Sequence, residues 1–291
     1  MTPPLRVWGT AAVVVLGVIL YLWLFFIGKD SPSTQTAVHY RAKIKELHST
    51  GKDTVTVVIL GSSLALNAFG GAPQVAVNCR PTKILYLTVN MLTLQRVQEF
   101  GILESLSDFP PHYLFFESNL LMLLRKEVSH FRFIWDYNII YLRHDPLALI
   151  RLDKSVMDQN IDKMGGYIPE LHLNNKRDTV LWELRSKKQY NMVENEASVV
   201  DKSFQKLIRK NCKIVLLRYP VVETPSYKNR VPALLKKVEK YQKADGIVSW
   251  EIPRDRIQDR LFYDGAHMNR LGSSVFVPWF SSQLNQELCN Y

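Results

Sequence analysis

Hydrophobic and polar positions divide the chain into three regions. From Val7 to Gly28 the run VWGTAAVVVLGVILYLWLFFIG holds 22 residues without a charge. At 1.5 Å per residue such a helix reaches about 33 Å, enough to cross a bilayer core of ~30 Å. A cleaved signal peptide has a shorter apolar stretch and a small-x-small cleavage site, and neither is present. Trp8 at one end and Tyr21 and Trp23 toward the other suit the aromatic anchors of a membrane interface. The polar stretch KDSPSTQTA (29–37) then reads as a linker, and Val38 to His48 as a basic helix. The expected division is a transmembrane anchor over 1–28, a linker and basic helix over 29–50, and the main domain over 51–291.

Within the main domain five short apolar runs stand out: TVTVVIL (54–60), KILYLTV (83–89), HYLFFES (112–118), KIVLLRY (213–219) and, more weakly, GIVSWEI (246–252). Their β-branched and aromatic content suits strands buried on both faces. Apolar positions recur at helical spacing over 93–106, 231–244 and 269–288, the last interrupted by Pro278. Strand and helix alternating in this way predict an α/β fold with a parallel sheet between helical layers. In such sheets sites form beyond the carboxyl ends of the strands, where the strand order reverses. The stretch from about 120 to 211 is too long for a crossover. Aromatic and basic at its start and carrying Gly165-Gly166, it is expected to form a helical insertion or cap over the site.

With 291 residues, 47% of them hydrophobic, the chain can bury one main core. Its net charge of +10 includes Lys202, Lys206, Arg209, Lys210, Lys236, Lys237, Lys240 and Lys243. They read as a solvated helical surface beside an anionic leaflet, or as a groove for an anionic polymer. A nucleic-acid partner is disfavoured by the anchor and by the lack of any zinc-finger, RNP or basic-zipper pattern. Arg6 precedes the span while Lys29, Arg41, Lys43 and Lys45 follow it, so charge counting by itself slightly favours a cytoplasmic body and the topology has to be argued from elsewhere. Three cysteines cannot all pair. Cys79 and Cys212 precede strands that a doubly wound order separates by two others, about 14 Å at ~4.8 Å spacing, beyond the reach of a disulfide. Cysteine usage leaves the compartment open. The histidines His39, His48, His112, His130, His144 and His172 show no paired ligand spacing, and neither a metal nor a cofactor is expected.

Chemistry-bearing groups gather at three strand exits. The first run ends in Gly61-Ser62-Ser63-Leu64, the third in Glu117-Ser118-Asn119, and after the last comes LFYDGAHMNRLG with Asp264 and His267. A serine hydroxyl is a poor nucleophile near neutral pH and needs a base to take its proton. An imidazole titrates in the working range, and a carboxylate can hold its tautomer and stabilise the imidazolium. Arg218, at the exit of the fourth run, is a candidate for contacting an anionic substrate group, with a plain ion pair as the alternative. Glu117 reads either as a support for the site or as a hydrogen-bonded sheet end.

The order of these groups resembles the SGNH (GDSL-type) hydrolase superfamily. Its serine follows the first strand in Gly-Asp-Ser, an asparagine follows the third, and a terminal Asp-x-x-His supplies the base. Gly61-Ser62-Ser63-Leu64 stands in place of Gly-Asp-Ser-Leu, Asn119 in place of the asparagine, and Asp264-Gly265-Ala266-His267, with Asn269 and Gly272 downstream, in place of the terminal block. The resemblance implies a three-layer, flavodoxin-like α/β/α fold with Ser63 as nucleophile, His267 as base and Asp264 as its partner. It also implies an oxyanion hole from the Ser63 N–H and the Asn119 amide. The family's glycine after the second strand is missing from YLTVNMLTLQ, where Asn90 or the Met91 backbone is left as the substitute donor.

Gly-Ser-Ser also occurs in the membrane-anchored branch that includes DltD, the protein of lipoteichoic-acid D-alanylation. That likeness implies a domain outside the cytoplasm on an inner-membrane anchor, working with a membrane-bound O-acyltransferase on a polysaccharide or teichoic-acid-like acceptor of the cell envelope. The expected activity is acyl transfer or ester hydrolysis. The rival readings are a non-catalytic adaptor for such a complex and, less favoured, a nucleotide or flavin binder. The latter is disfavoured because the first loop lacks a glycine-rich phosphate cradle.

Overall fold

The computed structural model describes residues 4–27, 31–51, 53–70, 75–88, 92–121, 129–144, 197–222 and 225–290. Two compact units result, one of Met1–Tyr40 with Val128–Asp158 and one of Arg41–Glu127 with Gln159–Tyr291.

In the first unit, α1 (Leu5–Ile27) is followed by the start of α2 (Pro32–His48), and α6 (His130–His144) packs against α1. The buried Asn138 side chain of α6 accepts the Ser33 N–H at 3.1 Å. Ser31, Ser33 and Thr36 are buried beside this junction, where Ser31 Oγ also shares hydrogen bonds with Ser33 Oγ and Thr34 Oγ1. Most large apolar side chains on α1, from Val7 to Leu22, are exposed. Among the described residues no helix is long and apolar enough to cross a membrane. Helix α1 itself runs for 23 residues.

The second unit is built on β1 (Val55–Gly61), β2 (Thr82–Thr88), β3 (Tyr113–Glu117), β4 (Lys213–Arg218) and β5 (Ile247–Glu251). All neighbouring strands are parallel, in the order β2-β1-β3-β4-β5. This is the flavodoxin-like doubly wound order, with its reversal between β1 and β3. The connecting helices are α3 (Ser63–Gly70), α4 (Leu94–Glu99), α5 (Ile102–Asp108), α7 (Ala197–Arg209) and α8 (Pro225–Gln242), and α9 (Arg270–Cys289) closes the chain.

Because side chains alternate along a strand, adjacent residues of β3 serve opposite layers. Phe115 meets Phe280 of α9, with ring centroids 4.9 Å apart, whereas Phe116 meets Phe204 of α7 at 5.3 Å. On the first face Phe69 of α3 is the hub, edge-on to Tyr86, Phe276 and Phe280. Each such pair adds roughly 0.5–1.5 kcal/mol beyond the area it buries. Pro278 does not end α9, which is continuous through it.

Most of the stretch expected to form an insertion, about 120–211, lies outside the described residues. Residues 197–209 form α7, which packs on β4 and α5 as a sheet-covering helix. Residues 130–144 form α6 in the first unit, and residues 145–196, Gly165-Gly166 among them, lie outside the described residues.

Cys79, just before β2, is bonded to Cys289 at the end of α9, with Cα atoms 5.7 Å apart, while Cys212 is buried and free. The pair unreachable by strand spacing stays apart, and the terminal cysteine takes the partner. A bridge closing 210 residues removes chain entropy equivalent to about 5 kcal/mol at most. Reduction or Cys289→Ser is expected to lower Tm by several degrees in a thermal melt. Alkylation of the unreduced, denatured protein should modify one thiol rather than three.

Candidate active site

The site begins where β1 turns into α3. Gly61 is the last residue of the strand, Ser62 is buried, and Ser63 opens the helix. The reversal is abrupt. A Cβ on Gly61 would lie 2.4 Å from the Ala65 Cβ and 2.9 Å from Glu117 Oε2, closer than carbon atoms tolerate. Glycine is therefore required here for close approach.

Glu117, at the end of neighbouring β3, is fully buried beneath this turn. Its Oε2 accepts the Ser62 N–H at 2.6 Å and its Oε1 the Ser62 hydroxyl at 2.8 Å. Burial pushes its carboxyl up from 4.5 to about 7, opposed by both Ser62 donors, by the charge of His267 and by the Ala65 N–H.

A second loop approaches from the other end of the chain. Phe262 and Met268 form an antiparallel bridge, and the Tyr263 N–H donates to the His267 carbonyl at 3.1 Å. Asp264 Oδ1 accepts the N–H groups of Ala266 (2.8 Å) and His267 (2.7 Å), the local turn that aspartate favours. Asn269 caps α9: its Oδ1 accepts the Gly272 N–H at 2.9 Å and its Nδ2 donates to the Arg260 carbonyl at 2.8 Å. A Cβ on Gly272 would lie 2.2 Å from the Leu261 oxygen. The Asn269 and Gly272 of the sequence string thus seat the loop rather than enter its chemistry. Ser273 Oγ, donating to the Ala68 carbonyl at 2.8 Å, fastens α9 to α3.

These two loops bring Ser63, His267 and Asp264 into one hydrogen-bonded line. Ser63 Oγ is 2.8 Å from His267 Nε2, across 204 positions of sequence, and His267 Nδ1 is 2.8 Å from Asp264 Oδ2. Tyr263 stacks on the imidazole, with centroids 5.6 Å apart and planes 14° from parallel. Burial alone would raise the Asp264 carboxyl. The hydrogen bond and charge of His267, with the N–H groups of His267 and Ala266, outweigh it and hold the group below its ordinary value. An ionised Asp264 accepts the Nδ1 proton, leaving Nε2 free to accept one from Ser63.

The remaining sequence candidates fare differently. Asn119 lies half-buried in the 3₁₀ turn Ser118–Leu121 that leaves β3, the strand beside β1. Asn90 lies outside the described residues. Arg218 ends β4 with its guanidinium engaged by Glu251, its register partner on β5, which Arg254 also approaches at 3.5 Å. The structure does not bring it into the serine–histidine line. Asn67 and Tyr263 went unread in the sequence. Asn67 Nδ2 donates to the Ser63 carbonyl at 2.7 Å, and an asparagine one helical turn after a serine gives no signal in the sequence.

Gly61→Ala should destabilise the fold by roughly 1–3 kcal/mol. Its melting transition is expected several degrees below that of the unsubstituted protein.

No known protein family and no curated protein matches the chain. Among solved structures the chain is similar to one described as "a putative platelet activating factor from Streptococcus pneumonia", at 11% identity and a TM-score of 0.34, over 93% of this chain and 99% of that one.

Proposed function

We propose that this chain is an SGNH-like serine acyltransferase or esterase, held at a membrane by α1 and acting on O-acyl groups of an envelope polysaccharide or teichoic-acid-like polymer. The observation that carries the reading is the bonded line Ser63–His267–Asp264 at the point where the sheet reverses its order. Ser63 Oγ attacks the acyl carbonyl carbon as His267 Nε2 takes its proton. The resulting oxyanion is held by the Ser63 N–H and the Asn119 amide, with Asn90 or its neighbour as a third donor, each worth on the order of 10²–10³ in rate. Collapse expels the leaving alcohol, which receives the proton from His267 and leaves an acyl-enzyme. Water resolves it to an acid, whereas a sugar hydroxyl resolves it to a new ester. A membrane-bound O-acyltransferase is the matching partner for the second course.

The membrane assignment is supported by the uncharged run from Val7 to Gly28 and by the exposed apolar side chains of α1. The Cys79–Cys289 bond supports a domain outside the cytoplasm, since disulfides persist in oxidising compartments.

A serine-reactive fluorophosphonate should label the protein on Ser63, as read by mass spectrometry. Ser63→Ala should abolish the adduct and His267→Ala should slow it by about 10³-fold or more. Equal labelling of Ser63→Ala would remove the serine reading and leave the adaptor role. With p-nitrophenyl acetate, release that accelerates with added polyol identifies transfer, and release indifferent to acceptor identifies hydrolysis.

A further inference from the structure

The reaction uses Ser63, His267 and Asp264, and leaves unexplained a fully buried carboxylate one residue behind the nucleophile. Glu117 touches neither the reacting hydroxyl nor the imidazole by hydrogen bond. It is instead tied to both donors of Ser62, the N–H at 2.6 Å and the hydroxyl at 2.8 Å, and to the Ala65 N–H. Gly61 lacks the Cβ that would fall 2.9 Å from Glu117 Oε2, so the turn is shaped to let the carboxylate in. Where the resemblance carries an aspartate, this chain has Ser62, and the acid at the turn comes from β3 instead.

We infer that Glu117 is a positioning residue: its carboxylate clamps the Ser62 backbone and hydroxyl so that the Ser63 hydroxyl and N–H hold their aim. This rests on the serine reading proposed above. A carboxylate accepts from both Ser62 groups at once, whereas a protonated acid keeps only one full acceptor oxygen. Burying an acid is costly unless donors surround it, and here the donors are those of the turn at the start of α3, where the helix dipole also favours a negative charge. The groups that face Glu117 electrostatically are His267 on the terminal loop and Tyr219 after β4, itself coupled to Tyr86 of β2. Burial, with the charge of Glu117 second, drives the Tyr219 hydroxyl well above its ordinary value, so Tyr219 stays neutral. An ionised Glu117 therefore acts on one neighbour that changes charge in the reaction. It favours the imidazolium that forms as Ser63 gives up its proton.

The test is the pH dependence of fluorophosphonate labelling in the full chain, with Glu117→Gln and Ser62→Ala beside the unsubstituted protein. Because the clamp is complete only when Glu117 is ionised, the logarithm of the labelling rate should rise toward neutrality more steeply, by about one unit of slope, in the unsubstituted protein than in Glu117→Gln. Ser62→Ala should keep the steep profile at a rate lowered several-fold, and Glu117→Ala, if it folds, should fall by about 10²-fold.

A second measurement does not depend on catalysis. An acid raised from 4.5 to about 7 on folding keeps its proton where the unfolded chain has lost it, so its contribution to stability is present below 4.5 and is lost as pH rises through about 7. The melting temperature of the unsubstituted protein should fall relative to Glu117→Gln across that interval. Identical labelling profiles for the unsubstituted protein and Glu117→Gln overturn the inference while leaving the serine reading intact. Absence of any Ser63 adduct in the unsubstituted protein overturns both.

Discussion

The closeness of α3 to the end of β1 is the constraint on which the site depends. A helix that begins two residues after a strand must fold straight back over it, and the space available is set by Gly61, Ala65 and Glu117. Any side chain at position 61 would push the helix away from the sheet. That would take Ser63 out of reach of its partner. The same close approach lets an acid from β3 reach the N–H groups of the turn, so one missing Cβ both sharpens the reversal and satisfies donors that would otherwise be buried unpaired.

The reversal places a serine at the rim but brings no base to it. His267 arrives on a loop held from three sides. The Asn269 cap and Gly272 fit it to residues 260 and 261, the Phe262–Met268 bridge closes it, and the Val222 N–H donates to the Gly265 carbonyl at 3.1 Å. Packing of α9 on α3 through Phe69, Phe276 and Phe280 sets the distance between the two loops. At its far end α9 is tied covalently to the approach to β2 by Cys79–Cys289. A 2.8 Å hydrogen bond between side chains 204 positions apart is thus a consequence of aromatic packing and helix capping, interactions that do not involve the reacting groups.

Electrostatics then separates the two acids near the imidazole. Asp264 is surrounded by N–H donors and a basic ring, so its charged form is favoured despite burial. Glu117 is buried more completely, with the balance going the other way. One acid stays ionised as the partner of His267. The other is poised to change charge near neutrality.

Much of this arrangement was legible in the sequence. Five apolar runs of strand length separated by helical periodicities fix an α/β class, because a parallel sheet must bury both faces and needs crossover helices between strands. The string from Asp264 to Gly272 marks its loop, because capping and close approach are local and each demands a particular residue type. Other features were beyond it. Arg218 could be read as a ligand contact or an ion pair until the register set it opposite Glu251. The bond between Cys79 and Cys289 depends on where the last helix ends over the sheet. The burial of Glu117 depends on which strand lies beside β1. By itself the sequence determined the elements and the chemically capable groups, since those follow from neighbours a few residues apart. Only the tertiary structure decided which groups meet and which acid keeps its proton, since distance and burial are set by packing between segments that the chain order leaves far apart.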